Sequence, residues 1–315
     1  MTSLDPVILF FLLGLIAGLA RSELRLPAAI YDFLSIALLL AIGLKGGVEL
    51  AKQPLLPLLP QFLTVVAMGA ILPLLAYPVL LRVGGLKRAD AASIAAHYGS
   101  VSVGTYAVAV AYLAYQQVAY EEYIPVFVVL LEMPAIVVGI LLARGISRET
   151  RWTAMAHEVM LGKGMVLLAG GLAIGWIAGP VAIEPAGELF FGLFKGFLAL
   201  FLLEMGLITA SQIGGLRRHG LFLAIFGVLA PLCFSLIGAA LGWSLGLSPG
   251  GTALLATLFA SASYIAVPAA MRMAVPEANP SLSLGVALGV TFPFNILVGV
   301  PLYLAIAQRI HTWGT

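Results

Sequence analysis

The chain has 315 residues, 62% of them hydrophobic and 10% charged, with a formal net charge of +2. Soluble domains carry about 25% charged residues, so this composition excludes an ordinary water-soluble domain and points to a polytopic helical membrane protein. The small net charge excludes a nucleic-acid partner held by electrostatics, and the single Cys233 excludes an intrachain disulfide or a cysteine-based metal cluster.

Ten apolar segments follow one another, near residues 5–20, 28–45, 55–82, 89–115, 123–144, 162–180, 187–212, 219–245, 249–275 and 281–308. Each is close to the roughly 20 residues that span a bilayer as a helix. The first has no basic residue before it, so it reads as a retained helix rather than a signal peptide. Connections on one side hold Arg21, Arg25, Arg82, Lys87, Arg88, Arg144, Arg148, Arg151, Lys163, Arg217, Arg218 and Arg272. The opposite side holds Lys45, Lys52 and Arg309, and the connection after the fourth segment is acidic, with Glu121 and Glu122. The positive-inside rule then places both termini outside. Trp176, Trp243 and Trp313 lie near segment ends, where interfacial indoles are common. The polar stretch from Gly145 to Gly162 reads as a tether, with an amphipathic surface helix around Trp152 to Met160.

The fourth and ninth segments carry polar interruptions, Gly99-Ser100-Val101-Ser102-Val103-Gly104-Thr105 and Ala260-Ser261-Ala262-Ser263-Tyr264-Ile265-Ala266-Val267-Pro268. Ser100-Val101-Ser102 matches Ser261-Ala262-Ser263 at an offset of 161. Gly14 to Gly18 matches Gly175 to Gly179 at the same offset, Ile42-Gly43-Leu44 matches Met205-Gly206-Leu207 at 163, and Pro134 matches Pro293 at 159. Five segments per copy is an odd number, so the second copy enters the membrane in the opposite sense. The expectation is a 5+5 inverted repeat of ten transmembrane helices. Paired interrupted helices in such a repeat are the best sequence pointer to a transporter binding site.

Either interruption alone would read as close helix packing through small residues. Occurring as a pair, they favour a site. Broken helices expose backbone N–H groups and a positive dipole end, which suit a small oxyanion. Hydroxyls of Ser100, Ser102, Thr105, Ser261 and Ser263 add donors, and Gly99 and Gly104 admit a ligand to the backbone.

Glu132 and Glu204 are carboxylates at membrane depth, where ionisable residues mark function. Glu132 follows the first interrupted helix and can reach it. Its oxygens suit a hard cation such as sodium, by extension from calcium and magnesium sites. A proton carrier and a protonated structural carboxyl are the other readings. Asn295 is its repeat-related neighbour beside Pro293. Glu188 and Lys195, seven apart on one helix face, read as an ion pair with each other or a neighbour, and Arg272 as a side chain reaching for the interface. No G-x-S-x-G, H-E-x-x-H or phosphate loop points to an enzyme. An intramembrane hydrolase would need His97 beside a serine, and only one of the two serine pairs has a histidine nearby.

Leu24 to Tyr31, Leu38 to Gly47 and the run from Ala260 to Gln308 resemble the cyanobacterial-type sodium-dependent bicarbonate transporter family. Ser261 to Arg272 is the most specific part, and Pro276 to Ser281 adds to it. The resemblance implies a fold like that of bile-acid symporters, with core and gate domains. The gate would comprise residues 1–53 and 162–216, the core 54–144 and 217–315, and a cytoplasmic linker 145–161. Segments four and nine would cross in the core. It further implies sodium-coupled bicarbonate uptake by alternating access across the inner membrane, a homotrimer, and a small cytoplasmic signalling protein as regulatory partner. Substrate would sit at the crossing, at Gly99, Ser100, Ser102, Gly104, Thr105, Ser261, Ala262, Ser263 and Tyr264. Sodium, the co-transported ion, would sit near Ser102, Glu132, Ser263 and Asn295, with no organic cofactor. The competing readings are a proton-coupled small-carboxylate carrier and a non-transporting membrane sensor or channel.

Overall fold

A computed structural model describes residues 5–145, 157, 160–212 and 220–313. These residues form helices and no strand. Helix α1 is Pro6–Leu19, α2 Ala28–Ala51, α3 Leu55–Pro78, α4 Arg88–Gly99, α5 Val103–Tyr115 and α6 Pro125–Arg144. Then come α7 Lys163–Gly187, α8 Phe194–Gln212, α9 Gly220–Ser244, α10 Pro249–Ala260 and α11 Ala266–Ala274. The last helix begins as α12, Pro280–Val286, and passes through π-helical turns at Ala287–Thr291 and Asn295–Gly299 into α13, Val300–Trp313. Among the described residues six helical stretches are long and apolar enough to cross a membrane: Ala28–Ala51, Leu55–Val83, Pro125–Arg144, Lys163–Gln212, Gly220–Ser244 and Pro280–Thr312. Leu56, Leu63, Ile177 and Leu221 stand fully open on the outside, as lipid-facing side chains do, and Trp176 and Trp243 are exposed beside them. The protein is a multi-pass, all-helical membrane protein.

Local sequence accounts for the boundaries. Asp5 caps α1 by accepting the Val7 N–H at 3.0 Å, with Pro6 at the first helical position. Ser248 caps α10 in the same manner, again followed by proline. The 50-residue stretch Lys163–Gln212 is not one rod, because Gly179 (φ +70°) breaks α7 just before Pro180 and a π-helical turn at Glu188–Gly192 separates α7 from α8. Helix α2 runs past the expected end at residue 45 to Ala51, so Lys45 lies on the helix rather than in a connection. Glu188 and Lys195 are both exposed and form no ion pair with each other, since the π-helical turn Glu188–Gly192 and Leu193 disturb the register between them. Arg272 is exposed, as expected. Of the helix anticipated at Trp152 to Met160, all but residues 157 and 160 lie outside the described residues.

Helices α1, α2, α7 and α8 pack together, α1 along α8 and α2 along α7. Both contacts are backbone against backbone. A Cβ on Gly14 would stand 1.9 Å from the Leu203 carbonyl oxygen, and one on Gly175 2.3 Å from that of Leu44. Likewise Gly206 faces the Phe11 carbonyl and the Leu15 N–H, while Gly47 faces the Leu172 carbonyl and the Trp176 N–H. The same contacts thus occur twice, with α1 matched to α7 at an offset of 161. They pair Gly47, not Gly43, with Gly206, at an offset of 159 rather than 163. Sequence identity favoured Gly43 because Ile-Gly-Leu and Met-Gly-Leu look alike, and Gly43 too packs against backbone, at the Leu168 carbonyl, but the glycine whose contacts repeat those of Gly206 is one turn later. Six of the other helices form two three-helix groups, α3 with α4 and α6, and α9 with α10 and α13.

Candidate functional site at two facing helix breaks

The fourth segment stops at Gly99 and restarts at Val103. Ser100 is extended (φ −91°, ψ −176°), so its N–H still reaches back to the Ala96 carbonyl while the chain leaves the helix. Ser102 then caps α5, its Oγ accepting from the Thr105 N–H at 3.1 Å and from the Thr105 hydroxyl at 2.9 Å. The ninth segment stops at Ala260, with Ser261 extended (φ −88°, ψ 163°), and restarts at Ala266.

The two breaks are joined. The Ser102 N–H donates to Ser261 Oγ at 2.9 Å, and the Ser261 hydroxyl donates to the Leu258 carbonyl at 2.8 Å. The Ser263 N–H donates to the His97 carbonyl at 2.8 Å. Gly104 has no side chain because the Tyr264 hydroxyl lies over it, 2.3 Å from where a Cβ would be. Gly99 is required for a different reason: Pro73 of α3 fills the place its Cβ would take. Ser100, Ser102, Thr105, Ser261, Ala262, Ser263 and Tyr264 are all buried.

Between the breaks is a cavity of about 10 Å³, lined by Leu39, Val101, Ser102, Val103, Glu132, Gly164, Ser263, Tyr264 and Ile265. That is room for one water-sized species. Glu132 is 3% exposed, and its Oε2 has no hydrogen-bond partner among the described residues. A buried carboxylate without a protein partner is costly, so this oxygen is suited to accept a ligand. A carboxylate beside two serine hydroxyls is a hard-oxygen donor set, suited to an alkali or alkaline-earth ion rather than a transition metal. Among the described residues no group of three His, Cys, Asp or Glu could hold a metal.

Of the expected residues, Ser102, Ser263, Tyr264 and Glu132 line this cavity, while Gly99, Ser100, Gly104, Thr105, Ser261 and Ala262 lie at the breaks without lining it. Asn295 is placed differently: its Nδ2 donates to the Ala260 carbonyl at 2.8 Å, its Oδ1 accepts from the Tyr303 hydroxyl at 2.6 Å, and it does not line the cavity. Glu204 also lies away from the cavity lining, partly buried on α8. Sequence reasoning missed Leu39, Gly164 and Ile265, which are apolar and carry no chemical signal. It also missed Tyr303, whose signal was its position eight residues, about two helical turns, after Asn295.

Gly164 and Ile265 also line a larger cavity of about 510 Å³, which continues past Lys163, Met165, Ala266 and Ala269. A third, of about 100 Å³, lies beside Lys45, Tyr106 and Tyr120. The small cavity thus adjoins a wide vestibule, and Tyr106, on the wall of the third chamber, stands one turn beyond Ser102 on α5.

Comparison with known families matches residues 6–308 to the Na+-dependent bicarbonate transporter superfamily. The chain belongs to that superfamily. A search of curated proteins finds no match. As a superfamily member the chain is a transporter by family, and sodium dependence is the family's property. Within the superfamily assignment, the facing breaks and the unpartnered Glu132 are what this chain itself contributes.

Proposed function

We propose that the protein takes up a small anion, bicarbonate in the first place, together with sodium by alternating access. The observation that carries this reading is the Glu132 carboxylate, buried without a partner beside a one-ion cavity between two helix breaks. Sodium would bind there first, held by Glu132 and the hydroxyls of Ser102 and Ser263. It would neutralise the carboxylate and fix the two breaks. The anion would then meet the N–H groups at the start of α5 and the hydroxyls of Ser100 and Ser261. A cavity of about 10 Å³ admits the ion alone, so the anion enters only when the breaks part. Asn295 would act by holding the Ala260 carbonyl at the start of the second break.

The repeated glycine contacts and the paired breaks support a ten-span inverted repeat. Helices α1, α2, α7 and α8 would be the gate and the remainder the core. With both termini outside, the vestibule beside Lys163 is cytoplasmic, and the conformation is open inward. An inner-membrane homotrimer regulated from the cytoplasm follows from the family resemblance.

Labelled bicarbonate uptake into proteoliposomes tests the reading. Concentrative uptake driven by an inward sodium gradient is expected. Equal uptake with and without the gradient removes the coupling. Uptake that follows pH and ignores sodium selects a proton-coupled carboxylate carrier, and no concentrative uptake of any small anion selects a sensor.

A further inference from the structure

The chamber of about 100 Å³ beside Lys45 has no role in the site above. It lies between α2, α5 and the start of α8, with Ile42, Lys45, Tyr106, Tyr120, Phe191 and Phe194 among its walls. Its volume is ten times that of the cavity at Glu132, enough for a four-atom anion with part of its water. Lys45 is the one basic side chain on its walls. The Lys45 ammonium stands 5.9 Å from the centre of the Tyr120 ring and 3.7 Å from Glu122 Oε1.

The surrounding acids leave Lys45 available. Glu49 is taken by Lys52 at 2.7 Å. Glu121 accepts from the Ser248 N–H at 2.6 Å and from the Ser248 hydroxyl. Glu122 is half exposed and outside the chamber, and an exposed pair at that separation is weak. An anion entering the chamber can therefore take the ammonium from Glu122. One cation and apolar walls suit a singly charged anion and leave a second charge uncompensated. Tyr106, on the chamber wall, stands one helical turn beyond Ser102 on α5, so the chamber lies on the same helix as the first break.

We propose that this chamber is a docking site for a small monoanion, bicarbonate or a short carboxylate, with Lys45 as its cationic partner on the way to the helix breaks. The inference rests on the anion-transport reading and deepens it. Carbonate, sulfate and other dianions are rejected here.

Two measurements test it. In proteoliposomes, Lys45→Met raises the KM for bicarbonate on the order of tenfold, as loss of electrostatic focusing does, and Lys45→Arg restores most of the affinity. Glu122→Gln lowers the KM, because it frees the ammonium. If Glu122→Gln raises the KM as much as Lys45→Met, the pair is a structural tether and the proposal fails. Separately, an uncharged amine-reactive ester is applied to the purified protein, and modification of Lys45 is followed against Lys52. Bicarbonate, formate or acetate should slow Lys45 several-fold relative to chloride at equal ionic strength, with Lys52 unaffected. No selective protection by any of the three overturns the site. Protection that persists in a Ser102→Ala, Ser263→Ala double variant without uptake keeps the chamber separate from the transport reading.

Discussion

The Ser263 N–H donates directly to the His97 carbonyl, whereas the Ser102 N–H reaches the Leu258 carbonyl only through the Ser261 hydroxyl. His97 and Leu258 are 161 residues apart, as are Ser102 and Ser263. One contact is thus made twice, once directly and once through an inserted hydroxyl. The hydroxyl of Ser100, the counterpart of Ser261, has no partner among the described residues.

That asymmetry separates two substitutions that look equivalent in sequence. Ser261→Ala leaves the buried Ser102 N–H unsatisfied and should cost about 1–3 kcal/mol. Ser100→Ala removes a buried hydroxyl without a partner among the described residues and should leave stability level or raise it. Thermal unfolding of the detergent-purified variants checks this, and equal shifts would argue against the bridging role of Ser261.

Glu132→Gln keeps the shape of the side chain and removes its charge. A structural carboxyl would be replaced at little functional expense. A cation ligand would not: sodium-driven uptake should fall by about 100-fold or more, while the melting temperature stays level or rises, because an uncompensated buried charge has gone. Sodium titrations of uptake and of thermal stability read the two effects independently.

Gly104→Ala brings a methyl to 2.3 Å from the Tyr264 hydroxyl oxygen and should lower both stability and uptake. Adding Tyr264→Phe removes that oxygen and should recover part of the stability. Recovery stays incomplete, because Phe201 also stands 3.0 Å from the new methyl. A double-mutant cycle on the melting temperature measures the coupling.

Asn295 and Tyr303 should behave as a clamp on the second break rather than as ion ligands. Tyr303→Phe removes one buried hydrogen bond and should cost on the order of 1 kcal/mol. Asn295→Asp sets a carboxylate against the Ala260 carbonyl and should cost several times more. The sodium concentration for half-maximal uptake by Tyr303→Phe should stay near that of the unmodified protein; a large rise would make Asn295 a ligand after all.

The proposed single sodium beside Glu132 sets an expected charge count as well. One sodium with one bicarbonate moves no net charge. Uptake should then be nearly insensitive to an imposed membrane potential, whereas a second sodium would couple each cycle to about 2.3 kcal/mol per 100 mV.

Much of this architecture was legible in the residues. Apolar length and glycine content announced a multi-pass helical protein, and the paired Ser-x-Ser motifs led straight to the two hydrogen-bonded breaks. Glu132 stood out because charge is scarce there. Other parts carried no such sign. Leu39, Gly164 and Ile265 line the cavity by position alone, and position depends on how helices distant in sequence pack. Asn295 has the right oxygen for a cation, but a carboxamide can equally hold backbone, and only the placement of Ala260 and Tyr303 decides between the two. The repeat register slipped by one turn at Gly43 because similar short apolar strings recur in any membrane helix, while the requirement for a missing Cβ is set by the facing chain.

The glycine contacts that join α1 to α8 and α2 to α7 leave no side chains at the points of closest approach. Side chains are what allow neighbouring helices to re-register, by changing rotamers as they pass. Where carbonyl oxygens meet α-carbons, no such adjustment exists, and sliding by even one residue would drive backbone into backbone. Each of these two helix pairs is therefore locked like keyed parts. Relative movement is then expected at the seam where Leu39 and Gly164 face the two breaks.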